Sequence, residues 1–162
     1  MIPYVHLHVH SYYSLLDGQA SISRLVDKAM ADGMRGMALT DHGNMMGIKD
    51  FFNYVSKKKG GAAKDKKAAE AKLAALRDGS YQNAPDEKGV NPDAGKTHDE
   101  LIAECEKKIE KAQRILDFKP IFGCEMYCAR RTKADKKTKE DRSGWHLVVL
   151  AKNETGYHNL IK

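Results

Sequence analysis

Apolar and polar residues alternate strictly over the opening segment YVHLHVH, from Tyr4 to His10. Its apolar side carries Val5, Leu7 and Val9, and its polar side carries His6, His8 and His10. This alternation predicts a strand, because successive side chains of a strand point to opposite faces. The segment is therefore expected to pack one face against helices and to present its imidazoles to a polar site.

A helical pattern follows the loop that ends at Asp17-Gly18. Ser21 is a typical N-cap, apolar residues recur at helical spacing over 22–30, and Gly33 is placed to close the helix. The sequence therefore predicts an amphipathic helix directly after this loop.

A second strand and a second helix come next. MRGMALTDHG predicts a strand from Met37 to Asp41, and Asn44 is expected to cap a helix that ends at Gly60. Strands that alternate with helices predict a parallel α/β sheet or barrel, whose sites collect at the C-terminal ends of the strands. Residues that directly follow each predicted strand are therefore candidates for a site.

The composition changes between about Gly61 and Asp117, where alanine, lysine and glutamate dominate. A charged helix is predicted over 62–77, a loop over 79–96, and a second helix after the capping box of Thr97 and Glu100. We predict a helical hairpin at 61–117, inserted between the barrel segments 1–60 and 118–162. A solvated elaboration without chemistry is the favoured interpretation, and an arm that contacts DNA or a partner is the alternative.

The α/β pattern then resumes. Strands are predicted over 120–129 and 145–151, with a basic surface loop between them at 130–144. Asn153 is expected to cap a last helix, in which the chain stops without a capping residue. We therefore expect this chain to be part of a longer domain.

Charge and cysteine usage narrow the class of protein. The chain has 162 residues, 41% of them hydrophobic, and a formal net charge of +6. This charge permits a nucleic-acid or phosphate partner, although the concentration of lysines in the central segment favours a solvated helical surface. Three cysteines without a CxxC pair predict a reducing compartment. Without a signal peptide or a long apolar run, a cytoplasmic protein with no membrane partner is expected.

Histidines and carboxylates follow several of the predicted strands. The candidates are His8, His10, Asp17, His42, Glu125 and His146. His8 and His10 lie roughly 6.5–7 Å apart along one strand face, which allows both imidazoles to reach one metal or adjacent metals. A mixed nitrogen and oxygen set favours Zn, Mn or Fe over Mg or Ca. HxH alone is a weak signal, but HxH, DG and TDHG after successive strands form a much more specific one.

Other candidates have plainer interpretations. His6 is predicted to form hydrogen bonds in the interior, and Asp41 is predicted to orient the neighbouring His42. Both are expected to contact the ligands and not the metal itself. Cys124 and Cys128 are interpreted as small buried residues. His98 and His158 are interpreted as surface residues.

Four blocks carry a family resemblance: VHLHVHSYYSLLDG, ALTDHGNMMG, KPIFGCEMYCA and WHLVVLAKNETGYHNLIK. They resemble the PHP (polymerase and histidinol phosphatase) domain found at the N-terminus of bacterial DNA polymerase III alpha subunits. The resemblance covers about 3–60 and 117–162, and the segment between them departs from the usual pattern. It implies a distorted (β/α)7 TIM-like barrel, here only its N-terminal part, with up to three divalent metals, Zn or Mn.

The resemblance also assigns residues and partners. His8 and His10 match its first HxH, Asp17 the acid of LLDG, and His42 the histidine of TDH. Glu125 matches the glutamate of its GxE motif, and His146 the histidine that opens HL. The last ligands of the family would lie beyond Lys162. The implied partners are DNA, the remainder of the alpha chain, the proofreading exonuclease subunit and the sliding clamp.

Three functions remain open from the sequence. The first is metal-dependent phosphoester hydrolysis, as a 3′–5′ exonuclease within a DNA-directed DNA polymerase. The second is a non-catalytic module that braces the polymerase and docks the proofreading subunit. The third is a PHP-type phosphatase that acts on a small phosphomonoester, which the TDHGN and GYHNL blocks disfavour.

Overall fold

The computed structural model describes residues 4–83, 85, 89–142 and 144–162. Its elements in chain order are α1 (Ile22–Ala31), β1 (Gly36–Leu39), α2 (Ile48–Asp78), α3 (His98–Asp117), β2 (Lys119–Cys128), a 3-10 turn (Glu140–Arg142), β3 (Trp145–Leu150) and α4 (Glu154–Leu160). They divide into two compact units, Met1–Ser56 with Phe118–Lys162, and Lys57–Asp117. Among the described residues, no helix is long and apolar enough to span a membrane.

The first unit is built on a three-stranded sheet in the order β1-β2-β3. β1 and β2 are parallel, as predicted, but β2 and β3 are antiparallel, so the prediction of a wholly parallel sheet is wrong. The physical reason lies in the connection: a parallel crossover usually contains an α-helix, whereas the described residues between β2 and β3 form only the 3-10 turn. The start of β3 therefore lies beside the end of β2, with His146 opposite Tyr127.

The opening segment follows β1 without forming a regular strand. Its pairing is a single parallel bridge between His6 and Met37, and the amide of Thr40 donates to the carbonyl of Val9 at 2.9 Å. The amide of Val9 donates to the Thr40 side-chain hydroxyl at 3.0 Å, which replaces a regular backbone ladder bond. The predicted regular strand is therefore wrong, and its apolar face is only partly buried, since Leu7 is 51% exposed whereas Val9 packs against the core. The segment still carries His8 and His10 towards the end of β1.

The predicted first helix is confirmed with both of its ends. The Ser21 side chain accepts a hydrogen bond from the amide of Arg24, and Gly33 adopts the positive φ of +76° that closes the helix. The core beneath it contains Val26, Leu39, Phe51, Val55 and Phe118, each at most 1% exposed. Each such side chain contributes about 1.5–3 kcal/mol through burial.

The second helix begins later and ends much later than predicted. α2 begins at Ile48, and the Asn44 side chain instead accepts from the amide of Met46 in the preceding turn. α2 then passes through Gly60 without interruption and reaches Asp78. A glycine ends a helix by adopting a positive φ, which Gly60 does not do, whereas Gly79 does at +77°. The interior glycines cost only about 1 kcal/mol each relative to alanine, so the helix-forming residues around them prevail.

The second unit pairs the later part of α2 with α3. Leu73, Leu76, Leu101 and Cys105 form its core. The predicted capping box is confirmed, because Glu100 accepts from the amide of Thr97 at 2.8 Å and returns its own amide to the Thr97 hydroxyl at 3.3 Å. Whether this unit is an insertion relative to related domains stays a prediction.

A buried carboxylate anchors the loop before α3. Asp93 is 5% exposed and accepts hydrogen bonds from the ammonium of Lys72 and the hydroxyl of Tyr81. The hydrogen bond from Lys72 is the largest cause that lowers the pKa of Asp93 below its ordinary value of 3.8. The charged form is therefore favoured in the folded state.

We expect Asp93→Asn to lower the free energy of unfolding at pH 7 by about 1–3 kcal/mol, the cost of losing hydrogen bonds to a buried charge. Because its folded pKa is lowered, Asp93 stabilises fully above its unfolded pKa, and this contribution is lost as the pH falls through the folded pKa. Thermal melts followed by circular dichroism between pH 3 and 7 measure both effects. Asp65→Asn, at an exposed site on α2, is the control; equal acid sensitivity in the two variants would contradict the assignment.

Candidate metal centre

Asp41 lies at the end of β1, is 1% exposed, and holds the loop 11–18 in place. One of its oxygens accepts from the amide of Ser11 at 2.7 Å and from the Ser14 hydroxyl at 2.8 Å. The Ser11 hydroxyl lies 3.0 Å from both carboxylate oxygens. The Ser14 oxygen in turn accepts from the amide of His42 at 3.0 Å. Asp41 thus connects the loop that carries Asp17 to the backbone of His42.

Gly18 allows this loop to fold back tightly. A Cβ atom at Gly18 would lie 2.0 Å from the carbonyl oxygen of Ser11, and the amide of Gly18 donates to the carbonyl of Ser14 at 2.8 Å. No side chain fits at that approach. The Asp17-Gly18 pair therefore brings the Asp17 carboxylate back towards the end of β1.

Four predicted ligands meet in one group: His10, Asp17, His42 and Glu125, whose ligand atoms all lie within 4.8 Å of one another. His10 Nδ1 and His42 Nδ1 each lie 2.9 Å from Asp17 Oδ2. Glu125 Oε2 lies 2.9 Å from His10 Nε2 and 3.4 Å from His42 Nδ1. This part of the structure offers nitrogen and oxygen donors that can hold a metal ion.

The two remaining predicted ligands flank this group. His8 Nε2 lies 2.9 Å from His10 Nε2 and 3.6 Å from Glu125 Oε2. His146 Nδ1 lies 3.1 Å from the other Glu125 oxygen, Oε1. His146 reaches the group because antiparallel pairing puts the start of β3 beside the end of β2. The structure therefore brings together all six side chains predicted as ligands.

The environment of Glu125 Oε2 indicates whether these residues fit a metal ion. Glu125 is 6% exposed, and Oε2 forms no hydrogen bond within the described part of the chain. The imidazole nitrogens at 2.9–3.6 Å do not approach it with hydrogen-bond geometry. A buried carboxylate oxygen without a donor is costly, and a cation shared with the surrounding imidazoles would satisfy it. The donor set therefore fits a divalent metal.

Both carboxylates are held in the charged form that a ligand needs. Burial tends to raise the pKa of Glu125, but the surrounding imidazoles, led by His10 and His8, together bring it below the ordinary value. A hydrogen bond with His42 lowers the pKa of Asp17. Neither group needs to lose a proton near neutral pH before it binds a cation.

Other predicted residues are placed differently. His6 is exposed, and its ring packs edge-on against Tyr4 with 4.7 Å between ring centroids, so the prediction of an interior residue is wrong. Cys124 is buried as predicted, but Cys128 is exposed because it ends β2. All three cysteines are free thiols. His98 and His158 are exposed, as expected.

Sequence reasoning missed Tyr127. Its hydroxyl is hydrogen-bonded to His42 Nε2, and its ring lies 5.0 Å, between centroids, from the rings of both His42 and His146. The signal was present in the sequence, because Tyr127 follows Glu125 by two positions on one strand and so shares its face.

A family model described as PHP domain matches residues 6–162. DNA polymerase III subunit alpha of Treponema pallidum (strain Nichols) is 34% identical over 159 residues, which cover 98% of this chain and 9% of that protein. The protein of the same name from Borreliella burgdorferi is 33% identical over 160 residues, with the same two coverages. That from Aquifex aeolicus is 26% identical over 165 residues. The chain thus spans 9% of the length of each of these three relatives.

The sequence blocks, the matched range and the meeting of six ligand-type side chains agree with one another. They confirm the resemblance that the motifs indicate, within a mixed α/β fold. The chain belongs to the PHP domain family.

Proposed function

We propose that this chain is the PHP domain of a DNA polymerase III alpha subunit and that it removes nucleotides from the 3′ end of DNA. Its ligands are His8, His10, Asp17, His42, Glu125 and His146. The observation that carries the proposal is Glu125 Oε2, a buried carboxylate oxygen without a hydrogen-bond donor among imidazole nitrogens. Zn or Mn suits such a mixed nitrogen and oxygen donor set, and we propose up to three such ions for the complete domain.

The two carboxylates of the site hold the proposed imidazole ligands in place. Glu125 presents Oε1 towards His146 and Oε2 towards His10 and His42, so its two oxygens serve different imidazoles. Asp17 Oδ2 lies between His10 and His42 and fixes both rings. Bound divalent ions would lower the pKa of water and neutralise phosphate oxygens. Asp41 keeps the loop 11–18 and the backbone of His42 in place, and at 1% exposure it is closed to solvent.

The basic loop between β2 and β3 supports a polyanionic substrate. Asp141 accepts from Arg131 at 2.7 Å and from the amides of Lys137 and Thr138 at 3.0 and 2.8 Å. These bonds, led by that of Arg131, lower the pKa of Asp141 to about 2. The acidic side chain thus orders the loop, while the side chains of Lys133, Lys136, Lys137 and Lys139 remain exposed. The loop joins the two strands that carry Glu125 and His146, where lysines favour a phosphate backbone.

The rest of the assignment concerns the whole polypeptide. The polymerase reaction belongs to other parts of the alpha chain, because the described residues offer no group of catalytic carboxylates besides those of this site. The proposed partners are DNA, the remainder of that chain, the proofreading exonuclease subunit and the sliding clamp. The proposed compartment is the cytoplasm.

The test uses the full polymerase polypeptide that carries this domain. Metal analysis and degradation of 3′-labelled DNA are measured for the wild type, His8→Ala and His42→Ala. We expect bound metal and 3′ degradation in the wild type and a loss of at least about 100-fold in both variants, since even residues behind a ligand cost 10–100-fold. Polymerase activity should remain in all three proteins.

The control outcomes separate the alternatives. A wild-type protein that binds metal but hydrolyses only a small phosphomonoester would favour the phosphatase. A wild-type protein with neither metal nor nuclease activity would contradict the proposal and favour the structural module.

A further inference from the structure

Tyr127 is held firmly against the candidate ligands although its side chain is exposed. The pairing of β2 with β3 places Tyr127 opposite His146. Its ring also lies against Gly43, where an added Cβ atom would be 3.3 Å from it. Gly43 has φ +66°, so a side chain there is disfavoured both by its backbone and by the ring. The tyrosine hydroxyl thereby reaches His42 Nε2, on the side of the imidazole away from the carboxylates.

The two nitrogens of His42 face different partners. Nδ1 lies 2.9 Å from Asp17 Oδ2, within the donor group, and Nε2 meets Tyr127. A neutral imidazole binds a metal through the nitrogen that carries no proton, so the other nitrogen must carry it. Binding through Nδ1 therefore requires an Nε2–H group, which needs an acceptor.

We infer that Tyr127 is a positioning residue that accepts the Nε2–H of His42 when Nδ1 binds a cation, and so holds the imidazole in its metal-binding orientation. In the metal-free protein, His42 Nδ1–H donates to Asp17 and the Tyr127 hydroxyl donates to Nε2. With a cation bound at Nδ1, Nε2–H would donate to the Tyr127 oxygen. A phenolic hydroxyl both donates and accepts, so it serves both tautomers without a change of side-chain position. This inference rests on the metal site of the proposed function.

The test measures metal affinity of the full polypeptide by competition of Zn²⁺ with a chromophoric chelator. Tyr127→Phe removes only the hydroxyl and keeps the ring. We expect about tenfold weaker Zn²⁺ binding, the lower end of the 10–100-fold effect of partners behind a ligand, because water can reach this exposed position. Tyr4→Phe, at a tyrosine of similar exposure (56% against 58%), should bind Zn²⁺ as the wild type does.

A double-mutant cycle separates positioning from a general structural effect. In a His42→Ala background, Tyr127→Phe should change Zn²⁺ affinity no further. A Tyr127→Phe protein with wild-type affinity, or a loss that persists without His42, would overturn the inference and leave the proposed function standing. A wild-type protein that binds no Zn²⁺ would overturn both. Tyrosine-dependent binding without 3′ degradation would overturn only the nuclease.

Discussion

Glu125→Gln is expected to weaken metal binding and 3′ degradation strongly while changing the stability of the metal-free domain only a little. The carboxylate lies within 3.6 Å of the nearest nitrogens of His8, His10, His42 and His146, so its charge contributes to every part of the donor group. We expect metal affinity to fall at least about 100-fold, since mutating a residue that only hydrogen-bonds to a ligand already lowers it 10–100-fold. In the metal-free protein burial disfavours this charge and the surrounding imidazoles favour it, so the two effects largely offset and its removal costs little folding free energy. Metal titration and thermal melts with and without a chelator measure the two effects.

Glu154→Gln is the matched control, because it makes the same change on the exposed first turn of α4. It should leave metal affinity and melting temperature unchanged. A Glu125→Gln protein that keeps wild-type metal content would show that the ion binds elsewhere. A strong loss of stability in the metal-free variant would show that the carboxylate acts mainly as a structural group.

Asp41→Ala is expected to lower the free energy of unfolding by roughly 3–5 kcal/mol, because it leaves several buried donors unsatisfied and each costs about 1–3 kcal/mol. It leaves the amide of Ser11 and the hydroxyls of Ser11 and Ser14 without their acceptor. The loop that carries Asp17 then loses its attachment to β1, so metal affinity should fall as well. Denaturant unfolding and metal titration measure these two losses.

Asp41→Asn provides the graded comparison. It keeps the shape of the side chain and one acceptor oxygen, so we expect a smaller loss of stability than in the alanine variant. Ser14→Ala, which removes one donor to Asp41 and one acceptor for the amide of His42, should cost about 1–3 kcal/mol. Equal losses in the alanine and asparagine variants would mean that the charge and the hydrogen bonds of Asp41 do not organise this loop.

Local signals predicted much of this structure. The caps at Ser21, Thr97 and Asn153 are confirmed because a cap depends on residues within one turn of helix. The end of α2 was missed because a glycine is a stop signal only where φ is positive, which a sequence does not reveal at Gly60. The strands β2 and β3 were found, but their antiparallel pairing depends on how the connection turns.

The side chains proposed as ligands, and Asp41 behind them, could be selected from the sequence, whereas Ser11, Ser14 and Tyr127 could not. Histidines and acids after strands carry a chemical signal, so His10 and Glu125 could be selected from sequence. Ser11 and Ser14 carry none, since serines in loops usually face solvent. Their importance comes from the buried Asp41 that they bind, which only the folded chain reveals. Tyr127 was missed for a related reason, because an aromatic residue on a strand ordinarily indicates packing.

The register of β2 against β3 decides which side chains of β2 face the imidazoles of the proposed metal site. Gly123 fixes that alignment, since a Cβ atom there would lie 2.5 Å from the carbonyl oxygen of Val149. A slip by one residue exchanges the two faces of a strand. Cys124 and Met126 would then face the imidazoles in place of Glu125, and sulfur donors select soft ions such as Cu(I). A one-residue error in this pairing would therefore change which metal ion the proposed site prefers, while the overall shape of the sheet would stay the same.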